Sequence, residues 1–247
     1  RVAYYIITKA QEREELKEGM PIMEATSGNT GISLAAFGAY YKHPIYIFMP
    51  DWASSERVKL MQAFGANVTL VSREDGGFKK CLEEAKKLAE QKQGFLANQF
   101  ANKDNTLAHY ETTGKEIVEQ LPEKVSAFVS GVGTGGTLMG IGKRLKEWDK
   151  NIKIVALEPD KMPLISQNKI IGNHKIEGIG DDFIPDLLEK NLLDKTILIN
   201  DEDAINMSRK LAKELGLGVG ISSGANFLAG VETMQEENAP IVTVFAD

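Results

Sequence analysis

The stretch Glu24-Ala-Thr-Ser-Gly-Asn-Thr-Gly31 follows a short apolar run at 21–23 and opens the apolar-periodic segment 32–41. A strand, a tight glycine loop and a helix start in that order predict a βα unit, with the loop at the carboxyl end of a parallel sheet. Such a loop offers backbone N–H groups, the hydroxyls of Thr26, Ser27 and Thr30, and the Asn29 amide, all beside the positive end of a helix dipole. Those are the donors that a carboxylate or phosphate needs. Two more loops, Ser130-Gly-Val-Gly-Thr-Gly-Gly-Thr137 and Gly220-Ile-Ser-Ser-Gly-Ala225, occur downstream in similar settings. Three helix-entry loops of this kind point to one anionic ligand.

Periodicity and punctuation predict helices over 2–15, 32–41, 54–65, 77–93, 106–120, 137–148, 201–215 and 225–235. Ser54 is the expected cap of the third, Asp104 and Asn105 of the fifth, and Asp201 of the seventh. Strands are expected over 21–25, 44–49, 68–71, 95–100, 127–130, 152–157, 197–199 and 241–245, with 159–194 mostly loop. Strands that alternate with helices predict an α/β chain with two open, twisted, mainly parallel sheets flanked by helices on both faces. The second glycine loop recurs about a hundred residues after the first. A smaller domain over 1–102 and a larger one over 103–247 are therefore expected.

The chain is long enough to bury a real core, with 247 residues of which 43% are hydrophobic. A formal net charge of −6, with 29 basic residues spread along the chain, argues against nucleic acid or an anionic membrane as the main partner. Neither a spanning apolar run nor a signal peptide is visible. The single cysteine, Cys81, cannot form an internal disulfide and fits a reducing cytoplasm. It shares helical spacing with Phe78, Leu82 and Ala85 and is expected in the core. His43, His109 and His174 are scattered and form no metal-ligand cluster: His109 is expected to pack or hydrogen-bond in a helix, His43 and His174 to sit in polar loops. The lysine- and glutamate-rich run 79–92 reads as a solvated face.

Gly131-x-Gly133-x-x-Gly136 also matches a dinucleotide fingerprint, with Glu158 placed 22 residues beyond Gly136 as the ribose-binding acid. Its mid-chain position and its Gly-Thr ending count against that reading. Four glycines and two threonines over 131–137 suit a single phosphate better. A tight turn with a capping hydroxyl accounts for Thr137 or Ser223 taken singly. It does not account for six small polar residues around Asn29.

Thr26-Ser-Gly-Asn-Thr-Gly31, Gly133-Thr-Gly-Gly-Thr137, Glu177-Gly-Ile-Gly180 and Gly220-Ile-Ser-Ser-Gly224 resemble the motif set of cysteine synthases. These are pyridoxal-phosphate (PLP) enzymes of fold type II, the tryptophan-synthase-like fold. Asn98-Gln-Phe100, Leu107-Ala-His-Tyr-Glu-Thr-Thr-Gly114 and the closing Val244-Phe-Ala-Asp247 are similar to that family too, so the resemblance covers essentially the whole chain. It implies that Gly133, Thr134, Gly135, Gly136 and Thr137 cradle the PLP phosphate. Asn29 would hydrogen-bond the ring hydroxyl oxygen, and Ser222 would lie against the pyridine nitrogen. Thr26, Ser27, Gly28, Thr30 and Gln99 would clamp the substrate carboxylate, and Gly178 would line the entrance. The implied reaction replaces the acetyl group of O-acetylserine with sulfide, giving cysteine and acetate. A cytoplasmic homodimer and a docked C-terminal tail of serine acetyltransferase are implied by the resemblance only.

Two departures matter. The family's Schiff-base lysine lies in a Ser-x-Lys-Asp-Arg stretch, and Arg1 resembles that arginine, so the lysine is expected two positions before the chain begins. Lys9 and Lys59 do not replace it, and no residue of this chain is named as catalytic. Both ends read as cut. A chain without that lysine would be a catalytically silent binding homologue, holding an anion or a peptide carboxylate. Secondly, Asp181-Asp182-Phe183 follows Gly180 where cysteine synthases carry small residues. Asp182-Phe-Ile-Pro185 and Leu107-Ala-His-Tyr110 are more like cystathionine β-synthase, which uses homocysteine, and an acidic pair would disfavour anionic co-substrates.

Overall fold

Helices cover both faces of each sheet, which is why the strands carry apolar side chains on both sides. The computed structural model describes residues 1–121, 123 and 125–246. The closing motif's Asp247 lies outside the described residues. The chain divides into two compact units, Arg1–Asn105 and Thr106–Asp247.

Unit 1 runs α1 (Val2–Glu12), β1 (Ile22–Ala25), α2 (Asn29–Tyr41), β2 (Ile45–Pro50), α3 (Ser55–Ala63), β3 (Asn67–Val71), α4 (Gly77–Lys92) and β4 (Phe95–Leu96), ending within α5 (Lys103–Ala108). Its parallel sheet has the order β3-β2-β1-β4. Ile22, Ile45, Ile47 and Met49 pack with Ile6, Ile7, Leu34 and Met61 on one face. Met23, Ala25 and Phe48 meet Cys81, Ala85 and Ala89 of α4 on the other. This alternation along β1 and β2 is the two-residue period of a strand.

Unit 2 continues through a π-helical turn (His109–Gly114), α6 (Lys115–Gln120), β5 (Ala127–Gly131), α7 (Gly136–Trp148), β6 (Lys153–Pro159), the short α8 (Leu164–Gln167), a 3₁₀ turn (Lys190–Leu192), β7 (Lys195–Ile199), α9 (Asp201–Leu215), α10 (Ile221–Glu237) and β8 (Ile241–Thr243). Its parallel sheet has the order β7-β6-β5-β8. Phe128, Ile154 and Ala156 pack on Leu138, Ile141 and Leu145 of α7. Val129, Val155 and Leu157 face Ala225 and Ala229 of α10.

Several boundaries differ from the sequence expectation for identifiable reasons. α1 stops at Glu12 rather than 15, because Glu14 turns left-handed (φ 61°). α2 begins at Asn29 rather than 32, since Gly28 O already accepts from Gly31 N. β4 ends at Leu96 rather than 100. The last ladder-like bond is Ala97 N to Met23 O, after which Asn98 (φ 50°) turns the chain away. The helix expected from 106 starts at Lys103. Asp104 does not cap it but receives both terminal nitrogens of Arg13, at 3.1 and 2.7 Å, while the Asn102 side chain accepts from Asp104 N. Asn200, not Asp201, caps α9 by accepting from Glu202 N, and Asp201 instead pairs with Lys161. Ser54 holds the cap position of α3, but its hydroxyl donates to Glu56. α10 starts at Ile221 rather than 225, which puts Ser222 in its first turn.

Candidate active site

In each sheet the first strand lies beside the last, so the strand order reverses between β1 and β4, and between β5 and β8. Open α/β sheets take ligands at such reversals, beyond the carboxyl ends of the strands. The loop after β1 is the Thr26 to Gly31 loop, and the loop after β5 is the Gly133 to Thr137 loop. The two most glycine-rich motifs thus occupy the two switch points.

At the first switch point the backbone of Thr26 continues β1, with its N–H on Phe48 O. Its buried hydroxyl accepts from Gly28 N at 3.1 Å and folds the loop back. Asn29 and Thr30 form the first turn of α2, where the N–H groups have no partner within the helix. Glycine occupies the cap position, no side chain caps the helix, and its first turn carries no acid. The Asn29 side chain is exposed. Arg57, on α3, donates from Nη1 to Ser27 O at 3.2 Å and lies against Gly28. Gln99 arrives on the segment after β4. Its side-chain nitrogen donates to Ala25 O at 3.1 Å, its N–H goes to the Glu24 carboxyl at 3.0 Å, and its carbonyl accepts from Asn105 at 2.9 Å. Thr26, Ser27, Gly28, Asn29, Thr30 and Gln99 are therefore brought together.

At the second switch point, Gly135 (φ 82°) caps α7, with no side-chain cap and no acid in the first turn. The Thr134 hydroxyl accepts from Gly136 N. Thr137 Oγ1 lies 3.2 Å from His109 Nε2, whose Nδ1 lies 3.0 Å from Thr113 Oγ1. The π-helical turn that carries His109 fits against Gly140 of α7, where a Cβ would stand 2.4 Å from Thr106 O. The Gly178 loop closes in from the side. A Cβ at Gly133 would stand 2.3 Å from Gly178 O, and Gly180 N donates to Val132 O. Ser222 joins this region through its own helix. Asn226, one turn on, accepts from Gly131 N and donates to Val244 O, both at 2.8 Å.

Burial sets the charge state of two acids near these loops. The wholly buried Glu24 carboxyl is pushed up to about 8 by desolvation, against the pull of the Gln99 and Ala25 N–H groups. Asp181 is pushed up to about 6 by burial, with Asp182 beside it adding to the rise.

Other candidates have structural work. Glu158, the acid of the dinucleotide reading, accepts from Ile165 N, Ser166 N and the Ser166 hydroxyl, and so caps α8. Cys81 is fully buried and its thiol is raised to about 12 by desolvation. His43 is buried rather than placed in a polar loop, between Met20 O and the Gln11 amide. His174 Nε2 meets Gly180 O at 2.7 Å and so pins the Gly178 loop. Lys9 pairs with Glu12, and Lys59 is exposed. Among the described residues, no helix is long and apolar enough to cross a membrane, and no cluster of three or more His, Cys, Asp or Glu could hold a metal.

Sequence reasoning missed Glu24, Arg57 and Asn226 as site-building residues. The available signals were a glutamate inside an apolar strand and an asparagine on the apolar face of a helix four residues after Ser222.

A family model described as pyridoxal-phosphate-dependent enzyme matches residues 1–247. A cysteine synthase of Staphylococcus aureus is 40% identical over 99% of this chain and 79% of its own length. Among solved structures, a hydrogen sulfide-producing enzyme from Fusobacterium nucleatum has TM-score 0.96 and 49% identity, covering all of this chain and 75% of its own. A cysteine synthase from Entamoeba histolytica has TM-score 0.91 and 41% identity, over 99% and 73%.

Proposed function

Because the chain belongs to the pyridoxal-phosphate-dependent enzyme family, we propose that it carries out β-replacement on an activated serine, with O-acetylserine and sulfide giving cysteine and acetate. The observation that carries this is the pair of uncapped, acid-free helix starts at the two switch points, one suited to a phosphate and one to a carboxylate. The donor set fits PLP. The N–H groups at the start of α7 lack helical partners, the Thr134 and Thr137 hydroxyls stand beside them, and glycine at 133, 135 and 136 lets backbone approach the phosphate.

When bound, PLP supplies the electron sink that lets a group leave from the substrate β-carbon. The chain's own residues do the rest. Gly133, Thr134, Gly135, Gly136 and Thr137 would hold the phosphate, and Asn29 would donate to the ring hydroxyl oxygen. Ser222 would offer the ring nitrogen a neutral hydroxyl rather than a carboxylate, which would temper the sink and favour loss at the β-carbon. Thr26, Ser27, Gly28, Thr30 and Gln99 hold the amino-acid carboxylate, and Gly178 lines the entrance. In the same proposal the enzyme is a cytoplasmic homodimer, and its carboxylate loop can receive the C-terminal tail of a serine acetyltransferase.

A second reading, release of sulfide from cysteine, is favoured by the 49% identity to the Fusobacterium enzyme and by the acidic pair Asp181-Asp182. A carboxyl raised only to about 6 is charged at neutral pH and disfavours uptake of a hydrosulfide anion. One assay separates the readings. The PLP-loaded holoenzyme is given O-acetylserine with sulfide, O-acetylserine with homocysteine, or cysteine alone, and products are separated by chromatography. Cysteine from the first mixture supports synthesis, cystathionine from the second the homocysteine route, and sulfide from the third the second reading. No turnover of any mixture would remove all three.

A further inference from the structure

Glu24 is 1% exposed, yet among the described residues no cation pairs with it. A carboxyl group in so dry a place is retained only where its oxygens are needed. Oε1 accepts from Ala25 N at 2.8 Å, and Oε2 accepts from Gln99 N at 3.0 Å. The second bond crosses from β1 to the segment after β4, at the switch point itself, where the two-residue β4 ladder has already ended. Beyond that ladder, the hydrogen bonds that tie the Gln99 segment to β1 and α5 include the Ala97 N–H on Met23 O, the Glu24 bond, the Gln99 amide on Ala25 O, and Asn105 on the Gln99 carbonyl. Glu24 thus precedes the carboxylate loop by two residues and also anchors the one proposed carboxylate ligand that comes from outside that loop.

We propose that Glu24 is a positioning residue for the amino-acid carboxylate, fixing Gln99 relative to the Thr26 to Gly31 loop. The inference rests on the assignment of Gln99 to the substrate carboxylate. Two Gln99 hydrogen bonds to neighbouring groups, through its N–H and its side chain, leave the second amide N–H of that side chain for a ligand. Glutamate suits the task because each of its two oxygens keeps a lone pair for an N–H, even when one of them carries the proton. Glutamine has one accepting oxygen, and its NH₂ would confront the N–H of either Ala25 or Gln99.

The test compares Glu24→Gln and Gln99→Ala in the PLP-loaded holoenzyme. Steady-state kinetics are measured for the amino-acid substrate and for the sulfur substrate, together with PLP content. Both variants should raise the amino-acid KM by roughly tenfold or more. The KM for the sulfur substrate and the PLP content should hold, and kcat should change less than the amino-acid KM. A Glu24→Gln enzyme with unchanged amino-acid KM, beside a weakened Gln99→Ala enzyme, overturns the positioning role and leaves the carboxylate assignment standing. An unaffected Gln99→Ala enzyme overturns both. Should Glu24→Gln not fold, amide hydrogen exchange in the unsubstituted holoenzyme decides. Exchange at the Gln99 N–H should slow on amino-acid binding, and an unchanged rate counts against the proposal.

Discussion

The two switch points share a topology and solve the same problem with different polar groups. Between β1 and β4 the bridge is a buried carboxyl, Glu24, whose two oxygens accept from two N–H groups, one from its own strand and one from across the reversal. Between β5 and β8 it is a buried amide, Asn226, which accepts from Gly131 N on one side and donates to Val244 O on the other. The backbone groups to be satisfied differ, N–H with N–H in one case and N–H with C=O in the other. The side chain follows from them. The loops differ in kind as well. The Gly133 loop is fixed by backbone against backbone, at Gly133 and Gly140, with no room for a Cβ. The first loop is held by the side chains of Thr26, Arg57 and Gln99. A rigid cradle suits a resident cofactor, and an adjustable one suits a substrate that comes and goes.

The largest effect expected from this contrast is at Gly133. Gly133→Ala drives a methyl into Gly178 O and should weaken PLP binding by roughly tenfold or more, read by cofactor titration. Unchanged affinity would break the rigid-cradle half of the comparison. Next is Asn226→Asp, which sets a carboxylate against the Val244 carbonyl while keeping the Gly131 bond. It should cost about 2 kcal/mol in denaturant unfolding, and a smaller loss on Asn226→Ala would show that the misplaced acceptor, not lost packing, is responsible.

The pH dependence of Glu24 is a finer test. The unfolded chain releases this proton near the ordinary glutamate value of 4.5 and the folded chain near 8, so between those values only the folded state keeps it. This group's contribution therefore makes stability fall as pH rises from about 4.5 to 8, and Glu24→Gln should flatten that slope in thermal unfolding. An equal slope in both proteins would mean that the carboxyl is not protonated in the fold. The smallest effect is at Arg57, which is half-buried and donates to the Ser27 carbonyl. Arg57→Gln should raise the amino-acid KM about threefold, with PLP affinity unchanged.

What the sequence revealed follows the range of the interactions. Strands such as 44–49 and the three glycine loops were legible because period and punctuation are local. α2 and α10 start three and four residues earlier than their sequence predicts, because the small polar residues that read as loop are in fact their first turns. The π-helical turn at His109–Gly114 carries no local signal. It comes with the close approach of α7 at Gly140. Asp104 has the composition of a cap, but Arg13, 91 residues away, claims its carboxylate. Glu24 and Gln99 are 75 residues apart, and Asn226 and Gly131 are 95 apart, so neither bridge could be read before the strand order was known.

The most direct test of the central claim, that the second switch point holds the cofactor phosphate and the first does not, is ³¹P NMR of the PLP-loaded holoenzyme. Thr137→Val and Thr30→Val each remove one hydroxyl at nearly constant volume, one at each helix start. The account predicts that the phosphate resonance moves in Thr137→Val and stays in place in Thr30→Val. A resonance that moves only in Thr30→Val would contradict it.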